Sequence, residues 1–163
     1  MTGKSIVCLG KQISLEIPED WNLLPDEMAA EKFPYRTKPQ EIYASQDAGQ
    51  IITFNILEKS LVEKQVYAAI WEMQRLINRM YPESIRDAAK TIRIKAGMAG
   101  YFSFLTGGIQ YDSGHCMFIL PVHEKMMMGS YHFPAEDYKK DMAVFWEMLK
   151  SLKVDREIEE GTL

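Results

Sequence analysis

The sequence predicts an α+β domain, a single antiparallel sheet with helices packed on it. Three observations carry this. Short segments alternate apolar and polar residues on either side of Gly-containing turns, as in Ile13, Leu15 and Ile17 against Ser14 and Glu16. One long stretch beginning at Ser60, and another after Pro134, place apolar residues at helical spacing instead. No internal repeat, low-complexity segment or linker divides the chain, and 163 residues suit one domain that buries roughly 70% of its unfolded surface.

The elements follow in order. Ser5 to Leu9 and Ile13 to Ile17 form an opening hairpin around Gly10-Lys11. Pro18 stops it, because proline cannot donate to a ladder, and Trp21 offers a large apolar face just past the sheet edge. A short helix is expected from Pro25 to about Lys32, followed by a Pro-containing loop from Phe33 to Gln40. Glu41 to Ser45 and Gln50 to Leu57 make a second hairpin, with Ile52, Phe54 and Ile56 facing the core. Ser60-Leu61-Val62-Glu63 has the residues of a capping box, and the helix it opens runs to about Met80. Its stripe is Val62, Val66, Ala69, Ile70, Met73, Leu76, Ile77 and Met80, within about 120° of arc.

Pro82 to Ala89 reads as a shorter helical turn, and Thr91 to Ala96 as a strand with a basic outer face. Gly97 and Gly100 bracket a turn, Tyr101 to Thr106 is an aromatic-rich strand, and Gly107-Gly108 permits a tight return. Ile109 to Gly114 fits strand or loop. His115 to Phe133 then reads as two apolar strands joined by a short polar turn. The last helix buries Tyr138, Asp141 or Met142, Phe145, Met148, Leu149 and Leu152. Residues 1–153 form the domain, and 154–163 an acidic, frayed tail.

Composition excludes several function classes. Hydrophobic residues make up 47% and charged residues 26%, as in ordinary globular proteins, and the net charge of -4 opposes non-specific binding to nucleic acid. Cys8 and Cys116 are too few for a disulfide framework and lack metal-knuckle spacing, which fits reduced thiols in a cytosol. The N-terminus lacks the apolar run of a signal peptide. The longest apolar run, Met117 to Val122, is far short of the roughly 20 residues that span a bilayer. The expectation is a soluble, cytoplasmic protein without a membrane partner.

Ile17-Pro18-Glu19-Asp20-Trp21, Ile42-Tyr43-Ala44-Ser45-Gln46-Asp47 with its following helix, Gly97 to Tyr101 and the terminal Met148-Leu149-Lys150-Ser151-Leu152 together resemble the PsbP-like fold family. That family includes a photosystem II extrinsic subunit, a nuclear import factor binding the GTPase Ran, and DcrB-type bacterial proteins. The resemblance implies a three-layer α/β/α sandwich with a central antiparallel sheet. It also implies a binding or assembly role, with no shared catalytic residue and no cofactor to carry over. Effector-loading chaperones of type VI secretion look like the functional precedent for a small cytosolic member, by analogy of fold alone.

Candidate residues fall in two places. The hairpin from His115 holds all three histidines of the chain. A two-residue loop, either His123-Glu124 or Glu124-Lys125, puts His115 and His132 on one face; a three-residue loop puts them on opposite faces. As a pair they are candidate metal ligands or the centre of a small-molecule or enzymatic site, though a metal needs a third ligand. Packed structural histidines are the plainer account. The long helix carries Tyr67 and Trp71 about 140° and 180° around the wheel from Val62, four residues apart and opposite the core stripe. Such a pair is either covered by a loop such as Phe33 to Gln40 or forms a contact surface for a protein partner or a second copy. Met126-Met127-Met128 could add a flexible apolar surface, with core packing the plainer account.

Other motifs fail on their own geometry. Gly3-Lys4-Ser5 lacks the preceding glycine and strand of a phosphate loop, and His123-Glu124-x-x-Met127 lacks the second histidine of a zinc protease. Asp112-Ser113-Gly114-His115-Cys116 collects triad residue types, but neighbours in a strand alternate faces. Arg36 with Lys38, and Arg93 with Lys95, read as solvated surface. The leading expectation is a non-enzymatic protein-binding domain, with a ligand- or metal-binding protein or enzyme using His115 and His132 as the alternative.

Overall fold

The computed structural model describes residues 3–32, 39–107 and 110–155. Among these residues, two antiparallel sheets and three α-helices make up the fold. The small sheet consists of β1 (Gly3–Cys8), β2 (Ile13–Pro18) and β10 (Lys153–Val154), in the order β1-β2-β10. The large sheet contains β3 (Asn22–Leu23), β4 (Glu41–Ala44), β5 (Ile51–Ser60), β6 (Ile85–Ile94), β7 (Gly97–Gly107), β8 (Tyr111–Val122) and β9 (Lys125–Pro134). Its strand order is β3-β4-β5-β9-β8-β7-β6. The helices are α1 (Asp26–Lys32), α2 (Val66–Met80) and α3 (Tyr138–Ser151).

Period-2 alternation sends each long strand's side chains to two separate cores. On one face, Ile52, Phe54, Tyr101, Phe118 and Tyr131 pack with Phe145 and Met148 of α3 and with Ile13, Leu15 and Ile17 of the small sheet. On the other, Phe102, Phe104, Ile119 and Met126 meet Val66 and Ile70 of α2. Leu24, Ala29, Ile42, Ala44 and Ile51 form a satellite cluster under α1. The large antiparallel sheet is therefore packed between helical layers, an α+β sandwich.

Several expectations change. The opening hairpin does not join the main sheet. It pairs with β10, through Lys153 opposite Ser14 and Val154 opposite Ile13, so there are two sheets where one is expected. The amide of Asp155 also reaches the Gln12 carbonyl at 2.8 Å, which ties residues 154 and 155 to the domain; residues 156–163 lie outside the described residues. Trp21, just past the end of β2, turns its apolar face inward and is 2% exposed, its ring 5.7 Å from that of Tyr131.

The segment expected as a helical turn from Pro82 to Ala89 is the first half of edge strand β6. Register shifts at Ile85/Asp87 and Asp87/Lys90 break its alternation and conceal the strand. Gly100 does not bracket a turn. It lies inside β7, where a Cβ would come within 2.9 Å of the Ile70 Cβ, so the glycine lets α2 approach the sheet closely.

The helix start also moves. Ser60 stays in β5 opposite Lys125, and Leu61 donates to the Glu124 carbonyl at 2.9 Å, so Ser60 cannot cap. A 3-10 turn over Glu63–Gln65 leads into α2, and the Gln65 side-chain oxygen accepts from the Val62 amide at 3.0 Å. Glu63 instead holds Arg93 at 2.9 Å and accepts from the Met98 amide at 3.3 Å. At its far end α2 runs beyond the surface it covers, leaving Leu76 and Met80 of the expected stripe exposed.

Candidate functional site

The β8–β9 hairpin turns through His123 and Glu124, whose φ angles of 50° and 65° suit a two-residue primed turn. Val122 faces Lys125 across it, which sets His115 directly opposite His132. Both imidazoles lie on the α2 face of the sheet, with their Nδ1 atoms 2.7 Å apart. His123 stays in the turn, away from the pair.

Hydroxyl groups extend the pair in both directions. Thr106 Oγ1 on β7 lies 2.6 Å from His115 Nε2, and Ser130 Oγ on β9 lies 2.8 Å from His132 Nε2. Thr53 Oγ1 on β5 lies 2.6 Å from Ser130 Oγ. Five side chains from four adjacent strands thus form one hydrogen-bonded row. Each imidazole and hydroxyl can both donate and accept, so a neutral row is satisfied with all its protons pointing either way. One extra proton is also accommodated, on the outer Nε2 of the ring that already donates its Nδ1 proton. A second is not, since two N–H groups would then face each other.

Burial lowers His115 from the usual histidine value of 6.5 to about 4, with the Asp112 carboxylate opposing that shift. The Phe104 ring stacks 4.7 Å from that of His115 and supplies part of the apolar surroundings. The pair is not sealed. Both histidines line a cavity of about 490 Å³, with Lys32, Asp112, Ser113 and Pro134 at its walls. Among the described residues no group of three His, Cys, Asp or Glu side chains could hold a metal ion.

Cys116 takes no part, because β8 turns it to the opposite face from His115. Burial raises its thiol well above the ordinary range and pushes Cys8 up to about 12. Both are free and buried.

On α2, Tyr67 is 58% and Trp71 41% exposed, with the Arg75 guanidinium 5.2 Å from the Trp71 ring centroid. Arg75 also pairs with Glu72 at 3.3 Å. Of the expected covering loop, only Pro39 and Gln40 are described, and Gln40 is bound to β5 at Asn55 and Ile56; Phe33 to Lys38 lie outside the described residues. The methionine run does not form one surface: Met127 lies in the α3-side core while Met126 packs under α2. Beside them an apolar groove of about 500 Å³ runs between α2 and β5, lined by Leu57, Met73, Leu76 and Met128. Arg93 pairs with Glu63 rather than standing free, and Arg36 with Lys38 lies outside the described residues.

The hydroxyls that complete the histidine row were not singled out in the sequence. Ser130 sits two residues before His132 and so shares its face, a signal that strand alternation offers. Thr53 and Thr106 come from other strands and need the sheet order. A second polar cluster, also not anticipated as such, is buried on the other face. Tyr131 donates to Asp141 Oδ1 at 2.5 Å, and the Gln50 amide reaches the same oxygen at 2.5 Å.

No family model matches the chain, and no curated protein matches it in sequence. Solved structures share its fold. Cyanobacterial PsbP (CyanoP) from Synechocystis is 7% identical with a TM-score of 0.67, covering 94% of this chain and 92% of its own. A mutant form of the protein Mog1 is 14% identical with a TM-score of 0.56, covering 94% and 96%. LpqN of Mycobacterium tuberculosis, described as involved in cell envelope biogenesis, is 12% identical with a TM-score of 0.51, covering 93% and 84%. The chain thus has the PsbP-like fold. Among its described residues no helix is long and apolar enough to cross a membrane.

Proposed function

We propose that this chain is a non-enzymatic protein-binding domain, of assembly or chaperone type, whose contact surface is the outer face of α2 around Tyr67 and Trp71. The carrying observation is the exposure of both rings on the helix face turned away from the sheet. Tyr and Trp supply large contact area at low entropy cost, and Arg75 over the Trp71 ring holds it ready for a partner. Arg79 continues the row one turn further on. An aromatic pair flanked by guanidinium groups suits a protein surface with an apolar pocket rimmed by carboxylates. The reading includes a cytoplasmic location, which two buried, unpaired thiols support.

The test compares wild type with Trp71→Ala and Tyr67→Ala in affinity capture from native lysate, beside sedimentation velocity of each purified protein. Expected is a captured protein with an acidic contact surface that both variants lose, by roughly 30-fold in affinity for Trp71→Ala, with the melting temperature nearly unchanged. Self-association of wild type that the variants abolish would assign the same surface to a second copy. Identical capture by all three proteins, or several kcal/mol of lost monomer stability in Trp71→Ala, would remove the reading.

A further inference from the structure

Near its end β5 leaves its ladder with β9 for one short stretch. Ile56 pairs with Met127 and Ser60 with Lys125, so Leu57, Glu58 and Lys59 stand opposite Met126 alone. Such bulges re-aim side chains and recur beside binding sites. This one borders the groove of about 500 Å³ between β5 and α2, on the flank of the helix and not on its outer face. Tyr67 and Trp71 are not among its walls, so the groove is a feature separate from the aromatic surface.

The groove keeps its polar and apolar groups apart. Leu57, Met73, Leu76 and Met128 form its walls; Leu76 is exposed and the other three are half-buried, so a ligand laid over them removes apolar surface from water. The methionine thioethers adapt to a chain without a fixed shape. Donors gather at the end where β5 leads into α2: the Lys59 ammonium, the Ser60 hydroxyl and the Gln65 amide NH2. The Gln65 oxygen is taken by the Val62 amide at 3.0 Å. Glu58 is paired with Lys125 at 3.3 Å, whereas Lys59 has no ion-pair partner among the described residues. Glu72, a carboxylate on the helix wall, lies about 10 Å further along the axis than Gln65 and is paired with Arg75 at 3.3 Å.

An apolar trough with an uncompensated cation at one end is complementary to a molecule with an alkyl chain and an anionic head. We propose that this groove binds a free single-chain carboxylic amphiphile, a medium-chain fatty acid. Its carboxylate rests on Lys59, Ser60 and Gln65, and its chain lies between Leu57 and Met128 on the sheet and Met73 and Leu76 on α2. From Gln65 to Leu76 the helix rises about 16 Å. An extended alkyl chain advances about 1.25 Å per carbon, given a bond of about 1.5 Å and tetrahedral angles, so about twelve carbons span the groove. The head group is ionised at neutral pH and attracted by Lys59, whereas a cationic head on the same chain meets a like charge.

The test titrates the full chain with decanoate, dodecanoate and dodecyltrimethylammonium, each below its micellar concentration, with calorimetry for affinity and carbon-13 NMR of the methionine methyls for the site. One dodecanoate per chain is expected, with shifts confined to Met73, Met126 and Met128 among the eleven methionines. Dodecanoate should bind roughly 15-fold tighter than decanoate, the gain from burying two more methylenes. It should bind about tenfold tighter than dodecyltrimethylammonium, and Lys59→Glu should reverse that order. Ala68→Trp fills the groove from an exposed helix position and leaves Lys59 in place, and it should abolish binding of every probe. Equal affinity for the two head groups, no gain with chain length, or undiminished binding by Ala68→Trp would overturn the site. So would binding to anionic phospholipid vesicles without binding of free dodecanoate, or a captured protein that Ala68→Trp loses while dodecanoate stays inert.

Discussion

His115 makes folding sensitive to acid in a direction that its surroundings fix. Burial lowers it to about 4 from an ordinary value of 6.5. Between those values the unfolded chain binds a proton that the folded chain does not, so stability is fully present above pH 6.5 and falls as pH drops toward 4. The contribution is on the order of 3 kcal/mol across that window, and it levels off below it. Urea denaturation at several pH values checks this, with His115→Gln as reference. The variant should lose distinctly less stability between pH 6.5 and 4 than wild type does. Parallel pH dependences would show that His115 takes up its proton equally well when folded. The opposed placement of His115 and His132 was legible in the sequence as one of two registers. The hydroxyl row was not, because it joins side chains from four strands whose order no local pattern encodes.

At the scale of elements, α2 sits close to the sheet because β7 has no side chain at Gly100. A Cβ there would lie 2.9 Å from the Ile70 Cβ and 3.0 Å from Val66 Cγ1, tighter than packed atoms tolerate. Gly100→Ala should therefore push α2 outward and cost about 1–3 kcal/mol. Ile70→Ala should cost more, by opening a cavity, yet the double variant should be more stable than the summed losses imply, because each change relieves the other. Strict additivity in denaturant unfolding would mean that the helix does not rest on this glycine. The sequence marked Gly100 as special but not why, since a glycine under a helix and a glycine in a turn look alike along the chain. Likewise the aromatic-rich β7 and the apolar hairpin strands declared themselves through composition, while β6 did not. Its two register shifts place Asp87 and Lys90 out of phase, and Ala88-Ala89 between them has no β preference. The outward position of Tyr67 and Trp71 follows from helical periodicity alone.

The whole molecule consists of two cores separated by one sheet, and the pairing of β10 with β2 illustrates what sequence patterns leave out. Those strands are linked only after α3 has crossed the main sheet, and nothing in two residues, Lys153 and Val154, announces a third strand. The α3 layer is fastened to that sheet by a buried carboxylate as well as by apolar packing. Asp141, 1% exposed, accepts from Tyr131 of β9 and from Gln50 beside β5, so one oxygen joins α3 to two neighbouring strands. Asp141→Ala strands the buried Tyr131 hydroxyl, at about 1–3 kcal/mol, while Gln50 keeps the Tyr131 oxygen as an acceptor at 3.2 Å; Asp141→Asn keeps an oxygen acceptor and should cost less. Because Tyr131 also packs on Trp21 and Phe145, this loss should reach the entire domain and not just α3. Trp21 and Trp146 report the α3 side, and Trp71 reports α2. In each single-tryptophan version Asp141→Ala should therefore lower the urea midpoint by the same amount from that version's own parent. An α3-side transition at lower denaturant, with Trp71 unmoved, would show instead that the two cores fold independently and that the sheet does not transmit the loss.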